Sequence, residues 1–242
     1  GPALLFLHGY TLDHRMWRTQ VEGLSKRFRT VSYDLRGFGR SAAPGTQSYK
    51  HCDDAAALCE YLELDEAVVI GHSVGAHQAL EFALERPDLV AGWVGVCASM
   101  LSGIAFPDEL TQMFTAIRTA AREHSIEAAK AIWSQAGWFA SARAVPALVP
   151  EMEQMLASYS GWHFTHDNPA KSVEPPAAER LDRLCVPALV ITGGLDLPYN
   201  DAVGEALLHG IEGATSLRLP NVGHMANMED PEAVNRAIAE LA

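Results

Sequence analysis

Short apolar runs alternate with amphipathic stretches along the first hundred residues, and the two repeat with different periods. Residues Ala3–Leu7, 30–33, 67–70 and Val90–Val96 are runs bounded by Gly, Asp or Pro and read as strands. Between them, Ala55, Leu58, Cys59 and Leu62 recur at i, i+3, i+4 and i+7. Ala76, Ala79, Leu80 and Ala83 do the same, which predicts helices with one buried stripe. The alternation returns near the end, where 188–192 and 216–219 read as strands and Val234, Ala237, Ile238 and Leu241 form one helix face. Asp230 followed by Pro231 starts that last helix, because it joins an N-cap oxygen to a residue with pre-set φ.

Near-continuous apolar strands alternating with helices predict the α/β class, with a mostly parallel sheet covered by helices on both faces. Residues 101–176 break the rhythm. They carry helical patterns at 109–123, 126–135 and 150–159, then turn-rich Asn168-Pro169 and Pro175-Pro176, without a strand pattern. An all-helical insertion in such a core reads as a cap over one edge of the sheet. The expected organisation is therefore a core of residues 1–100 and 177–242 with a helical cap at 101–176.

Length and composition narrow the picture. The chain has 242 residues, 48% of them hydrophobic and 20% charged, which is an ordinary globular balance large enough to need no disulfide or metal staple. The net charge of −12 repels phosphate backbones and anionic headgroups, so neither nucleic acid nor a membrane is an expected partner. The charge-free stretch 89–106 contains three glycines and reads as a buried strand and a loop rather than a membrane span. No signal peptide is visible, and a cytoplasmic location is expected. Cys52, Cys59, Cys97 and Cys185 form no C-x-x-C pair; they read as small buried hydrophobes, and no metal site is expected.

The strongest local signal is Gly71-His72-Ser73-Val74-Gly75, between the strand at 67–70 and the helix that follows. A serine forced into a strained strand-to-helix turn needs neighbours without Cβ atoms, because the two backbones nearly touch there. The turn also sets Ser73 at a helix N-terminus, where free N–H groups favour a developing oxyanion. Its hydroxyl needs a base. Of the ten histidines, His72 is pinned beside the serine and points away from it, and His77 lies on the next helix. His14, His51, His124, His163, His166 and His209 read as surface or cap residues. His224, in the loop Pro220-Asn221-Val222-Gly223-His224 after the strand at 216–219, reaches the carboxyl edge of the sheet and is the candidate base. Asp196, in Gly193-Gly194-Leu195-Asp196 after the strand at 188–192, is the candidate carboxylate that orients it. The earlier strand at 90–96 ends in Cys97-Ala98-Ser99 and offers no carboxylate; Asp201, the nearest competitor, reads as a helix cap. Backbone N–H groups of Val74 and of Tyr10, in His8-Gly9-Tyr10, are the candidate oxyanion donors. His8 ends a buried strand and reads as a structural histidine, and Asp34-Leu35-Arg36-Gly37 as a turn fixed by a salt bridge.

These residues carry a resemblance. His8-Gly9 with Trp17, Asp34 through Ser41, the serine elbow, Gly194-Leu195-Asp196 and Gly223-His224 together resemble the α/β-hydrolase superfamily, over nearly the whole chain outside the cap. Within it, the sequence is most similar to small bacterial carboxylesterases and 3-oxoadipate enol-lactonases. The resemblance implies a cofactor-free hydrolase acting on a small-molecule ester or lactone, with a cap shaping the acyl pocket. It also places Met100, after the sixth strand of the family, and Met225, after the base, near Ser73. Trp133, Trp138, Phe139, Trp162 and Phe164 crowd the cap, where such side chains pack cap on core or line a hydrophobic pocket; Trp138 is taken as a pocket candidate. Epoxide hydrolases and haloalkane dehalogenases carry Asp at the elbow, and epoxide hydrolases tend to carry proline soon after His-Gly. Ser73 and Tyr10-Thr11 argue against both activities. The same triad also serves carbon–carbon bond hydrolysis and cofactor-free perhydrolysis, and a non-catalytic binding module on this fold is a further alternative. Family members usually begin with a β-hairpin; only residues 1–7 precede His8, so the hairpin is absent or was trimmed.

Overall fold

The computed structural model describes residues 3–101 and 104–242. Strands β1 (Ala3–Leu7), β2 (Arg29–Tyr33), β3 (Ala67–His72), β4 (Val90–Val96), β5 (Ala188–Gly193) and β6 (Thr215–Leu219) form one sheet in the order β2-β1-β3-β4-β5-β6. All neighbouring pairs are parallel. The sequences explain the order. Every residue of β1 and β3 is buried, as expected of strands covered on both faces. The strands Arg-Thr-Val-Ser-Tyr and Thr-Ser-Leu-Arg-Leu carry polar residues, stay partly exposed, and occupy the two edges.

Helices α1 (Arg18–Leu24), α2 (His51–Tyr61) and α3 (Val74–Glu85) connect the first strands, and α9 (Pro198–Gly210), α10 (Ala226–Glu229) and α11 (Pro231–Leu241) follow β5 and β6. Asp230 caps α11 by accepting from Ala233 N–H at 3.1 Å, as the Asp-Pro pair predicts. Between β4 and β5 lie α4 (Asp108–Glu123), α5 (Ile126–Ser134), α6 (Ala140–Arg143), α7 (Val149–Ser158) and α8 (Trp162–Thr165). No strand is assigned in that stretch among the described residues. The stretch 89–106 holds β4 and a loop; its residues 102 and 103 lie outside the described residues. No described helix is long and apolar enough to cross a membrane.

The chain leaves β1 for β2 on one side, then returns to β3 on the other. Loops at the carboxyl ends of β1 and β3 therefore diverge and open a crevice between them, the usual ligand position in open α/β sheets. Side chains in this region also correct several expectations. Cys185 is exposed, whereas Cys52, Cys59 and Cys97 are buried. His51 and His163 are buried rather than superficial. Asp34 does not pair with Arg36: it accepts from His14 N–H at 2.8 Å, His14 Nδ1 at 2.7 Å and Arg40 N–H at 2.9 Å, while Arg36 pairs with Asp54. The carboxylate pins the turn through backbone amides, which a salt bridge to its neighbour would not do. Asp201 lies within the first turn of α9 and binds Arg218 at 2.8 Å instead of capping the helix.

Candidate active site

β3 passes into α3 through a single residue, Ser73, with φ 57° and ψ −123°. A non-glycine residue in that region stores roughly 1–3 kcal/mol of strain, which only tight surroundings sustain. The surroundings are tight because both flanking glycines are filled by backbone. A Cβ on Gly71 would strike the Gly75 carbonyl and the Ala76 amide, and one on Gly75 would strike the carbonyls of Leu7 and His8. Ser73 N–H is itself anchored to Val96 O at 2.9 Å.

The loops after β5 and β6 are joined to each other, through Gly194 N–H to Leu219 O at 2.7 Å and Leu195 N–H to Val222 O at 2.9 Å. This brings Asp196 and His224 together, with Nδ1 2.8 Å from Oδ2 and both side chains at most 5% exposed. The other carboxylate oxygen accepts from Leu197 N–H and from Asn200 Nδ2, each at 2.7 Å. Burial alone would push the Asp196 carboxyl up. The His224 imidazole and these donors outweigh it and hold the group below its ordinary value, hence ionised. With the ring proton on Nδ1, His224 Nε2 is left as a lone-pair acceptor. His72 does not face away into the core alone: its Nε2 donates to His224 O at 2.8 Å, and the two rings meet edge to face at 4.8 Å. Burial, then the His224 imidazole, lowers the His72 pKa to about 3, so it stays neutral.

His8 is fully buried and bridges its loop, with Nδ1 2.8 Å from Gly9 O and Nε2 accepting from Leu35 N–H at 2.9 Å. Gly9 leaves room for the His72 ring, since a Cβ there would stand 2.5 Å from His72 Nδ1. Tyr10 N–H and Val74 N–H have no hydrogen-bond acceptor among the described residues, as oxyanion donors require. Thr11, at φ 62°, fixes the Tyr10 loop from the far side: its Oγ1 donates to Tyr10 O at 2.6 Å and accepts from Trp133 Nε1 at 2.5 Å.

A strand-to-helix serine, a His–Asp pair from two later strand ends and a donor loop after β1 are arranged in the chain order of one fold. The sequence profile of the alpha/beta hydrolase fold matches residues 2–231. The chain belongs to the alpha/beta hydrolase fold family. It is similar to 3-oxoadipate enol-lactonase 1 of Acinetobacter baylyi, with 26% identity over 262 residues, covering 96% of this chain and 85% of that protein. The similarity to 2-(acetamidomethylene)succinate hydrolase of Mesorhizobium japonicum is higher but partial: 37% over 98 residues, 40% of this chain and 35% of that protein. Among solved structures, a thermophilic esterase from Thermogutta terrifontis superposes with a TM-score of 0.78 at 27% identity, covering 99% of this chain and 89% of that one. Epoxide hydrolases are also among the relatives of this α/β-hydrolase.

Ser73, His224, Tyr10 and Val74 border a single cavity of about 670 Å³, and so do Met100, Trp138 and Met225. Asp196 stands behind His224 and does not line it. No Ser73 Oγ–His224 hydrogen bond is formed among the described residues, and such contacts often tighten only when substrate binds. Trp133 and Phe139 reach the cavity, whereas Phe164 is core and Trp162 lies outside it. Sequence reasoning missed Phe114, Tyr199 and Asn200. The last carries a usable signal, since a residue four past the acid on a helix start faces back toward it. Among the described residues two groups have metal-ligand spacing, Cys97-Asp196-His224 and Asp13-His14-Asp34. In the first, Asp196 and His224 hold each other and burial raises the Cys97 thiol well above its ordinary value, keeping it protonated. In the second, Asp34 is bound to His14 and Arg40, and Asp13 to Arg15. In both sets the carboxylates are already engaged by protein donors.

Proposed function

We propose that this chain is a serine hydrolase that cleaves a small carboxylic ester or lactone through an acyl-enzyme. The observation that carries the reading is the convergence of Ser73 and the Asp196-paired His224 on one largely apolar cavity. Ser73 attacks the carbonyl while His224 Nε2 takes its proton, and the ionised Asp196 stabilises the imidazolium. Tyr10 and Val74 amides hold the oxyanion. His224 then returns the proton to the leaving alcohol and activates water to release the acid. Residues 101–176 act as a cap, whose Trp133, Trp138 and Phe139 shape the acyl side of the cavity. A serine at the elbow supports ester chemistry over epoxide opening, which uses Asp there.

Ser73→Ala is expected to abolish hydrolysis of p-nitrophenyl acetate with an unchanged circular dichroism spectrum, and the wild type to take up one fluorophosphonate at Ser73. Turnover at the wild-type rate in Ser73→Ala would falsify the assignment. An unlabelled Ser73 would instead favour a binding module. A panel containing vinylogous diketones, and peroxide with acetate, separates ester hydrolysis from carbon–carbon cleavage and perhydrolysis with the same triad.

A further inference from the structure

The loop that carries the base is gripped by a carboxylate that the reaction above does not use. Glu229, the last residue of α10, reaches back over that short helix to the backbone on either side of His224. Its Oε2 accepts from Gly223 N–H at 3.0 Å, and its Oε1 accepts from Met225 N–H at 3.2 Å. The main chain closes the same ring, because Glu229 N–H donates to Met225 O at 2.9 Å. Oε2 also accepts from the hydroxyl of Ser141, on α6. Gly223 packs directly against that residue: a Cβ there would stand 2.5 Å from Ser141 Cβ.

A helix end does not need this much. A side chain that only capped α10 would satisfy the Met225 amide and leave its second oxygen to water. Here the second oxygen passes the base and takes the amide in front of it. Gly223 and Met225 are both buried, where a backbone amide requires a partner from the protein. Among the described residues no cation pairs with the Glu229 carboxylate, so its bonds go to these neutral donors. Glu229 does not line the cavity, so it makes no contact with substrate there.

The base has two further anchors, the Asp196 carboxylate on its ring and His72 Nε2 on its carbonyl. Both can meet it only if residues 223–225 run where they do. Misplacing a reacting group by about 1 Å costs on the order of a hundredfold in rate. Resting on the serine hydrolase reading above, we infer that Glu229 is a positioning residue for the base. It fixes the backbone before and after His224, so that the ring meets Asp196 and still borders the cavity. Through Ser141 it fastens the same loop to α6.

The test is a double-mutant cycle on kcat for p-nitrophenyl acetate, with Ser73→Ala as the blank. Glu229→Gln keeps the size of the side chain but has one acceptor oxygen in place of two, so a flanking amide loses its partner. Its kcat is expected to fall about tenfold or more with KM within about twofold, because the cavity wall is untouched. Glu229→Asp keeps the charge, withdraws both oxygens by one methylene, and is expected to lose kcat similarly. In Asp196→Asn the base already lacks its orienting carboxylate, so adding Glu229→Gln should change kcat by less than about twofold. Damage to the structure at large would cost the same in both backgrounds, and equal losses overturn the inference. Wild-type kcat in Glu229→Gln overturns it as well. So does wild-type kcat in Glu229→Asp, which would assign the loss in Glu229→Gln to charge and not to position. If Glu229→Gln does not fold, Glu229→Asp carries the same cycle with the same expected losses. A wild type that leaves the ester intact, or an Asp196→Asn variant as fast as the wild type, strikes the parent reading and the inference with it.

Discussion

Asn200 Nδ2 donates to Asp196 Oδ1 at 2.7 Å, on the carboxylate oxygen opposite the one that binds His224. Asn200 is in turn held by Ser99, whose Oγ donates to Asn200 Oδ1 at 2.8 Å, and both residues are buried. Ser99 closes the segment after β4, so the end of that strand is linked to Asp196 through the Asn200 amide.

Replacing Asn200 by Leu removes one of two protein donors from Asp196 Oδ1 and leaves the Ser99 hydroxyl buried without its acceptor. We expect kcat to fall by roughly tenfold to a hundredfold with a smaller change in KM, because a donor to a buried charge contributes about 1.5–3 kcal/mol. Asn200→Asp separates positioning from packing. Two carboxyls at this distance share a proton, so the pair protonates at higher pH than Asp196 alone. The acid limb of the kcat/KM profile should therefore move to higher pH. An unmoved limb would show that Asn200 only fills space.

The strain at Ser73 predicts a trade between stability and activity. Glycine adopts the observed dihedrals without penalty, and its greater unfolded-state freedom costs about 0.5–1 kcal/mol against the roughly 1–3 kcal/mol of strain relieved. Ser73→Gly is expected to raise the unfolding free energy by about 1 kcal/mol while abolishing hydrolysis, as measured by urea denaturation. A lower midpoint would mean that the elbow is not strained.

Much of this architecture was legible in the pattern of apolar residues. The central strands β1, β3 and β4 are continuous apolar runs that no helix period fits, and the helical patterns at 109–123, 126–135 and 150–159 fall within one residue of α4, α5 and α7. The α1 segment, Arg-Thr-Gln-Val-Glu-Gly-Leu, escaped because it buries only Gln20 and Leu24, too short a stripe for a period to emerge. Strand order is not written in local sequence, although the polar residues of β2 and β6 are consistent with their edge positions.

The catalytic candidates were legible for a different reason: each follows a strand, and strand ends in a parallel sheet share one edge. Side chains that meet across distant segments were not. Arg36 chooses Asp54 over Asp34, and Arg218 claims Asp201, because partner choice depends on three-dimensional approach and not on spacing. The Trp133–Thr11 bond, joining residues 122 positions apart, is the same case. His163 read as a surface or cap residue because it sits in a short segment of polar and turn residues, yet it stacks on Phe38 at 4.2 Å.

The buried histidines set the acid stability of the fold. Burial lowers His51 to about 4 and His72 and His163 to about 3, and it lowers His8 as well. Each binds a proton more readily in the unfolded chain, where an imidazole titrates near about 6.5. Their contribution is fully present above that pH and is lost as pH falls toward the folded values, at up to about 1.4 kcal/mol per pH unit for each ring. Unfolding free energy should therefore begin to fall below about pH 6.5, well before the carboxylates titrate near about 4. His163→Phe keeps the stack on Phe38 and removes one such ring, although it forfeits the Tyr159 hydroxyl contact at 2.9 Å. The variant is expected to be less stable at pH 7.5 and to lose stability more slowly between pH 6.5 and 4. Urea midpoints measured across that range check the slope. Parallel curves for the two proteins would mean that His163 charges within the folded state.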